Sequence, residues 1–390
     1  MFGHRSKTGR MGEVFEMTVK ITDEDLVLTG AGTIAGKFMR MFWQPVTRSE
    51  DLPAGQAKPC RIMSEDFTLY RGQTGTAHAV GNRCAHRHVQ LSTGFVEDDC
   101  IRCLYHGWKF DAEGVCVELP GGTVKGRTKL IRSYPTEEYL GLIFVYFGEG
   151  EAPPLPRYPK LEADGVRDVS YDVFPCNYYC SLENDAFHLP FTHRDIMASR
   201  GLTGIPEVWG EETDWGLACF EKWPSRDYAG VNHKGMPNVG YIVPVAIMAA
   251  KGTKHALHVS WRVPIDEETH AQIRVNLTTV TGKDAEALLA SRPADFYDRS
   301  QIPVLSEAVL AGKINLPDLK HTHIEVIQDY VAQVGMGGIE NRATERLSKS
   351  DATTIILRNL WKRELQAIAD GRPLKKWEFT SSIQEPIPMI

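Results

Sequence analysis

The stretch CAHRHVQLSTGFVEDDCIRCLYHGW, residues 84 to 108, holds three cysteines and three histidines. Its Cys84-x-His86 and Cys103-x2-His106 pairs are separated by 16 residues, so two short segments each offer one thiolate and one imidazole. Such mixed donors suit an iron-sulfur centre or a structural zinc. Zinc fingers group their cysteines first and their histidines second, with wider histidine spacing. The order here is different. Further along, SLENDAFHLPFTHRD places Asp185, His188 and His193 in a D-x2-H-x4-H pattern. Two histidines and one carboxylate can form the facial triad of oxygen-activating non-haem Fe(II), which leaves positions for dioxygen and substrate.

Two mixed Cys/His loops fit a [2Fe-2S] centre of the Rieske type, in which two thiolates hold one iron and two imidazoles the other. Imidazole ligation raises the potential above that of an all-cysteine cluster and leaves the outer nitrogens free to bond a carboxylate. A cluster of this kind needs an electron acceptor, and the later histidine pair supplies one. His88 and Cys100 fall outside the spacing and read as a surface or neighbouring histidine and a packed thiol. In the second motif, residues three apart on a helix share a face, which sets Asp185 beside His188. Residues five apart do not. Pro190 is expected to disfavour helix at Leu189 and kink the chain, so that His193 returns to the same metal.

With a glycine and a tryptophan after its second histidine, CAHRHVQLSTGFVEDDCIRCLYHGWKFDAEG resembles the Rieske motif of the ring-hydroxylating oxygenases. Val89 and Tyr105 stand where respiratory Rieske proteins carry a further cysteine pair, so the likeness is to the oxygenase and ferredoxin branch. SLENDAFHLPFTHRD resembles the second motif of these oxygenases. That resemblance implies His188 and His193 as iron ligands and Asp185 as the bridge to the Rieske histidine of a neighbouring subunit. The segment departs from the family pattern by lacking two residues between LEN and the aspartate, which bears on the turn holding Asp185 and on Asn184. IQDYVAQVGMGGIENRATERLSKSD, 327 to 351, resembles the C-terminal segment of the phthalate-dioxygenase-like branch. It implies Asp329 as the third ligand, with Glu325 one helical turn earlier as its rival.

The resemblance as a whole implies the terminal oxygenase (alpha) component of a Rieske non-haem iron system. A separate reductase, with or without a ferredoxin, would feed it electrons, and the cross-subunit path implies a head-to-tail homotrimer closed by rotation. The FWQPV, RCLYHGW and QDYVAQVG details resemble the branch of phthalate dioxygenases and aryl O-demethylases. They imply monooxygenation of an aromatic compound, with O-demethylation of a methoxylated, lignin-derived acid as the form expected: a hydroxylated methoxy carbon gives a hemiacetal that loses formaldehyde. The alternatives are ring hydroxylation or dihydroxylation of an aromatic carboxylate and hydroxylation of an alicyclic, steroid-like substrate. A plain Rieske electron carrier is the non-enzymatic alternative.

The elements that must position these residues follow from pattern. After a leader over 1–39, short alternating strands broken by Gly and Asp turns, as in RIMSEDFTLYRG and GLIFVYFG, predict an all-β cluster domain over 40–150. The proline-rich GEGEAPPLPRYPKLEADG predicts an extended linker over 151–165. Residues 166–390 read as an α+β catalytic domain, with helices around 176–200 and a hairpin of HALHVSWRVPI and AQIRVNLTTV about the turn DEETH. Leu357, Leu360, Trp361, Leu365 and Ile368 form one helical stripe, with Ser350 or Asp351 as N-cap. The resemblance implies a helix-grip fold for this domain, an antiparallel sheet around a long helix. LVLTGAGTIAGKFMR has the spacing G-x-G-x3-G and little room before Pro45 for a crossover helix, so it is read as structural rather than nucleotide-binding.

Composition bounds the rest. A chain of 390 residues suits two domains, and 44 basic against 50 acidic residues give a net charge of -6, without the basic excess of a nucleic-acid surface. The longest nearly apolar run, VGYIVPVAIMAA at 239–250, is 12 residues with a proline inside, short of a membrane span, and reads as core strand or pocket wall. The N-terminus lacks the apolar stretch of a secretory signal, which places the chain in the cytoplasm. Eight cysteines are too few for a disulfide scaffold; those at 60, 176, 180 and 219 read as small buried hydrophobes.

Overall fold

The computed structural model describes residues 20–124, 126–226, 229–244 and 256–378. The N-terminal stretch read for targeting, and residues 245–250 of the apolar run, lie outside them. Residues 239–244 of that run form a strand.

A short helix α1 (Ile34–Arg40) starts at Thr33, whose side chain accepts from the Gly36 amide. Gly36 has no room for a side chain, because an added Cβ would lie 2.4 Å from the Gly30 carbonyl oxygen. The glycines of the nucleotide-like run thus serve a tight helix start. Eleven strands follow: β1 (Trp43–Arg48), β2 (Ala57–Ile62), β3 (Glu65–Arg71), β4 (Ala77–Gly81), β5 (Phe95–Glu97), β6 (Cys100–Arg102), β7 (Lys109–Phe110), β8 (Cys116–Glu118), β9 (Ser133–Tyr134), β10 (Thr136–Tyr139) and β11 (Leu142–Tyr146). They form three small sheets in the orders β1-β11-β10, β2-β3-β4-β9 and β5-β6-β7-β8. The last of these carries the cluster motif, packed on a satellite core that includes Tyr70, Leu91, Ile101 and Phe110.

The proline-rich segment is extended only to Tyr158 and then makes a 3-10 turn, Pro159–Leu161. Leu155, Tyr158 and Leu161 are buried in the main core, and the Trp43 indole N–H donates to the Pro153 carbonyl at 2.7 Å, so the crossing is packed in place.

The C-terminal half is built on one antiparallel sheet. Its strands are β12 (Val166–Phe174), β13 (Glu207–Glu212), β14 (Gly216–Lys222), β15 (Ala229–Gly235), β16 (Val239–Pro244), β17 (Ala256–Pro264) and β18 (His270–Thr278), in the order β12-β18-β17-β16-β15-β14-β13. The expected hairpin is β17 and β18, paired from Ala256 with Thr278 to Pro264 with His270. On one face of β18, Ala271, Ile273, Val275 and Leu277 are buried in the apolar core, as the period of two requires.

The sheet is flanked by helices. Between β12 and β13 lie α2 (Tyr178–Leu182), α3 (Leu189–Thr192) and α4 (Arg194–Ser199); after β18 come α5 (Gly282–Ala290), α6 (Gln301–Leu310), α7 (Ile324–Gly335) and α8 (Ala352–Ala369). The predicted stripe on α8 buries Leu357, Leu360, Trp361 and Leu365, with Ile368 packed against them. Asp351 sits at the N-cap, but its carboxylate is taken by a capping box with Ser348 on the preceding turn.

The described part of the leader belongs to this half as well. Phe38 meets Trp361 edge-on at 5.1 Å, and the Asn177 amide donates to the Val27 carbonyl at 3.0 Å. Among the described residues no helix is long and apolar enough to cross a membrane.

Candidate metal and substrate site

The two cluster loops share one backbone design. The Cys84 amide donates to the Val89 carbonyl and the Cys103 amide to the Trp108 carbonyl, both at 2.9 Å. Within each loop the amide four residues on donates back to the cysteine carbonyl, from His88 at 2.9 Å and from Gly107 at 3.1 Å. That fourth residue has positive φ in both loops, 58° at His88 and 72° at Gly107. This explains the glycine after the second histidine, and it gives His88 a backbone role in place of a ligand role.

The side chains divide by depth. Cys84 and Cys103 are buried beside one another, whereas His86 and His106 are exposed with ring centroids 4.6 Å apart. His86 also stacks on Trp108 at 4.8 Å. Burial, with the Cys103 thiol adjacent, pushes the Cys84 thiol up to about 11. Buried thiols of this kind suit a pair of thiolates that become stable once a metal displaces their protons. Two thiols inside and two imidazoles outside fit a two-iron cluster with its nitrogen-bound iron towards solvent. Cys100, on β6, is half-buried and stands apart from this group.

The second motif converges, but not by the route expected. Asp185 is extended, at φ -130° and ψ -177°, and caps a 3-10 turn, Ala186–His188, so it does not share a helical face with His188. The local hydrogen-bonding side chain of Asp competes with helix at this position: its Oδ1 accepts the Phe187 amide at 2.9 Å. Leu189 is helical, at φ -52° and ψ -45°, and Pro190 sits in the first turn of α3, where its missing N–H costs nothing. The bend falls instead at His193, φ -112° and ψ 30°, between α3 and α4.

His188, His193 and Asp329 come together, with one ligand atom from each lying within 4.8 Å of the others. The Asp329 Oδ1 lies 3.2 Å from His193 Nε2 and 3.7 Å from His188 Nε2. Both rings are oriented from behind. His193 Nδ1 bonds Gln328 Oε1 at 2.8 Å, and His188 Nδ1 bonds the Asp185 carbonyl oxygen. Those partners are acceptors, so each Nδ1 carries a proton and each Nε2 faces Asp329, where it could ligate a metal that displaces any proton it holds. His188 Nε2 is buried without any hydrogen-bond partner, an orphan that a cation would satisfy. Burial favours the neutral Asp329 carboxyl, but the His193 hydrogen bond and the His193, His188 and Arg274 charges outweigh it and hold the pKa near 2. The donor set therefore fits a divalent metal with open positions.

Glu325, the rival carboxylate, lies on α7 but is directed to Arg200 at 4.0 Å. Asp185 Oδ2 accepts the Thr353 hydroxyl at 2.6 Å, which anchors the motif to α8. Asn184 Nδ2 reaches Asp329 Oδ1 at 3.4 Å.

A cavity of about 360 Å³ opens onto the triad. Its walls include residues the motifs did not point to: Glu221 on β14, Asn232 on β15, His258 and Arg262 on β17, and Arg274 and Asn276 on β18. The signal was present as alternation. His258, Ser260 and Arg262 face Asn276, Arg274 and Gln272 across the hairpin, and the intervening residues are apolar. A polar face of that kind reads as solvent-exposed in sequence, yet Ser260, Arg262 and Gln272 are all buried. Phe296 and Val326 supply apolar wall.

Residues 42–135 match the Rieske [2Fe-2S] domain family. The chain is 29% identical over 384 residues to the 5,5'-dehydrodivanillate O-demethylase oxygenase subunit of Sphingobium sp., covering 94% of this chain and 85% of that protein. It is 27% identical to the phenoxybenzoate dioxygenase subunit alpha of Ectopseudomonas oleovorans, covering 92% and 88%. Among solved structures, the carbazole-bound oxygenase of carbazole 1,9a-dioxygenase in complex with its ferredoxin superposes with a TM-score of 0.64 at 20% identity, over 90% of this chain and 99% of that one.

Proposed function

Because this chain belongs to the Rieske non-haem iron oxygenases, we propose that it is the terminal oxygenase of a multicomponent system and that it monooxygenates an aromatic compound, by O-demethylation of a methoxylated aromatic. The observation that carries the reading is the presence of two separate donor sets in one chain, Cys84, His86, Cys103 and His106 in one and His188, His193 and Asp329 in the other. An electron carrier has no use for the second set. When bound, the Rieske cluster supplies single electrons and the mononuclear iron supplies dioxygen activation.

The chain's own residues do the rest. Cys84 and Cys103 bind from the buried side and His86 and His106 from the exposed side. His188 and His193 present Nε2, and Asp329 adds the negative charge. Asp185, pinned by the Phe187 amide and the Thr353 hydroxyl, is the relay towards a neighbouring subunit's cluster in a head-to-tail trimer. The cavity walls hold the ring and exclude bulk water. The balanced reaction takes an aryl methyl ether, dioxygen, two electrons and two protons to a phenol, formaldehyde and water, with a reductase, directly or through a ferredoxin, as the electron source. Support for demethylation comes from the similarity to the dehydrodivanillate O-demethylase subunit.

Metal analysis tests the reading directly. The oxygenase requires about three irons and two labile sulfides per chain, against about two irons for a carrier. His188→Ala should abolish formaldehyde release from methoxylated aromatics while the cluster's visible absorption persists. Turnover surviving in that variant rejects the iron-site assignment.

A further inference from the structure

Besides Asp185 and Glu325, which have the partners given above, the cavity is lined by one further acid outside both metal sets. Glu221 lies on β14, lines the same cavity as His188, His193 and Asp329, and is 1% exposed. Its Oε2 is buried with no hydrogen-bond partner. Among the described residues no cation forms an ion pair with it, although Arg262 and Arg274 line the same cavity. Folding leaves a buried carboxyl in this condition at a cost, and a ligand that completes its hydrogen bonds removes that cost.

The surroundings decide which ligand chemistry fits. Burial favours the neutral carboxyl, the Trp223 indole opposes this, and the charge of Asp185 adds to it, so that the pKa rises to about 7. A substrate carboxylate directed at Glu221 would bring a second desolvated anion to the same point. A hydroxyl both donates and accepts, and it matches a carboxyl in either protonation state. The two arginines of the wall are engaged by the protein itself, Arg262 by the Ser181 and Ser260 hydroxyls at 2.5 and 3.0 Å and Arg274 by Asp329 at 3.8 Å, and further polar groups of the wall are uncharged. Asn232 and Asn276 offer amides, and burial depresses His258 to about 3, so its imidazole is neutral. The His258 Nδ1 bonds the Asn276 Oδ1 at 2.6 Å, which fixes both side chains.

We propose that Glu221 is a specificity-determining residue that binds a hydroxyl of the aromatic substrate, so that this cavity selects a phenol over its dehydroxylated and carboxylated analogues. The inference rests on the reading above that the cavity holds an aromatic beside the iron.

The experiment measures binding to the holoenzyme by equilibrium dialysis, without reductase, for methoxyphenol, methoxybenzene, methoxybenzoate and methoxybenzylamine. Wild type should bind methoxyphenol about tenfold or more tighter than methoxybenzene, and tighter than the other two. Glu221→Ala should bring methoxyphenol and methoxybenzene to within about twofold of each other, whereas Glu221→Gln, whose amide also donates and accepts, should keep much of the difference. Retained cluster absorption and iron content in Glu221→Gln separate the effect from misfolding. The proposal is overturned if discrimination is unchanged in Glu221→Ala, if all four ligands weaken equally, or if the carboxylate or the amine binds wild type tightest. Turnover assays with reductase keep the two readings apart. Glu221-dependent discrimination without product rejects the demethylase and keeps the hydroxyl site, whereas product formation with Glu221-independent binding does the reverse.

Discussion

His88 and Gly107 hold the same place in the two cluster loops and the same left-handed backbone, but only one of them is glycine. At Gly107 an added Cβ would meet Pro120 Cγ at 2.9 Å, besides adopting the strained φ. Gly107→Ala should therefore cost about 1–2 kcal/mol from backbone strain alone, and the contact with Pro120 adds to it. The expected outcome is reduced cluster content by visible absorption, with His88→Gly as the control that retains it. Equal cluster loss in both variants would show that the loops do not depend on this conformation. The ligand-type residues themselves were legible in sequence, since a thiolate and an imidazole two or three residues apart have few structural uses. Glu221 was not legible: a lone acid in a strand reads as surface, and only the three-dimensional closure of the cavity shows it to be buried.

At the scale of elements, the segment from Glu183 to His193 is held by partners that come from far along the chain. The buried Lys234 on β15 donates to the carbonyls of Leu182 and Asn184 at 2.6 and 2.7 Å, a cation at the C-terminal end of α2. Arg342 and Arg358 both clamp Glu183, at 2.8 Å in the Arg342 pair. These contacts fix where the turn begins, and the Asp185 cap then fixes its direction. Lys234→Met keeps the volume but leaves two carbonyls without their donor, a loss of about 2 kcal/mol. The melting temperature should fall, and mononuclear iron should be retained poorly while the cluster remains. Full iron occupancy in this variant would show that the motif holds its shape without the lysine. The hairpin and the α8 stripe could be read from period alone because both bury one regular face. The bend at His193 could not, because proline at a helix start is favourable and proline in a helix interior is disruptive, and the sequence does not say which applies.

At the scale of the whole molecule, the two donor sets sit at different depths. The ring contacts of His86 and His106 stay within the cluster motif, to each other, to Trp108 and to Tyr105, and both histidines are exposed. Domain order was legible because each half carries its own chemistry. The docking of the leader onto α8 was not, because Leu26, Val27 and Phe38 show no period that names a partner. In the proposed head-to-tail ring, each exposed imidazole pair meets the next subunit's Asp185, so a chain with a damaged cluster can still be served by its neighbour. Co-expression of His106→Ala and His188→Ala chains tests this. Each variant alone should be inactive. With random assembly, an intact cluster should face an intact iron site at about a quarter of the interfaces of a closed ring, and the mixture should regain about that share of wild-type turnover. Complete inactivity of a mixture whose cluster and iron contents are verified would place the electron path inside a single chain and remove the physical reason for the ring.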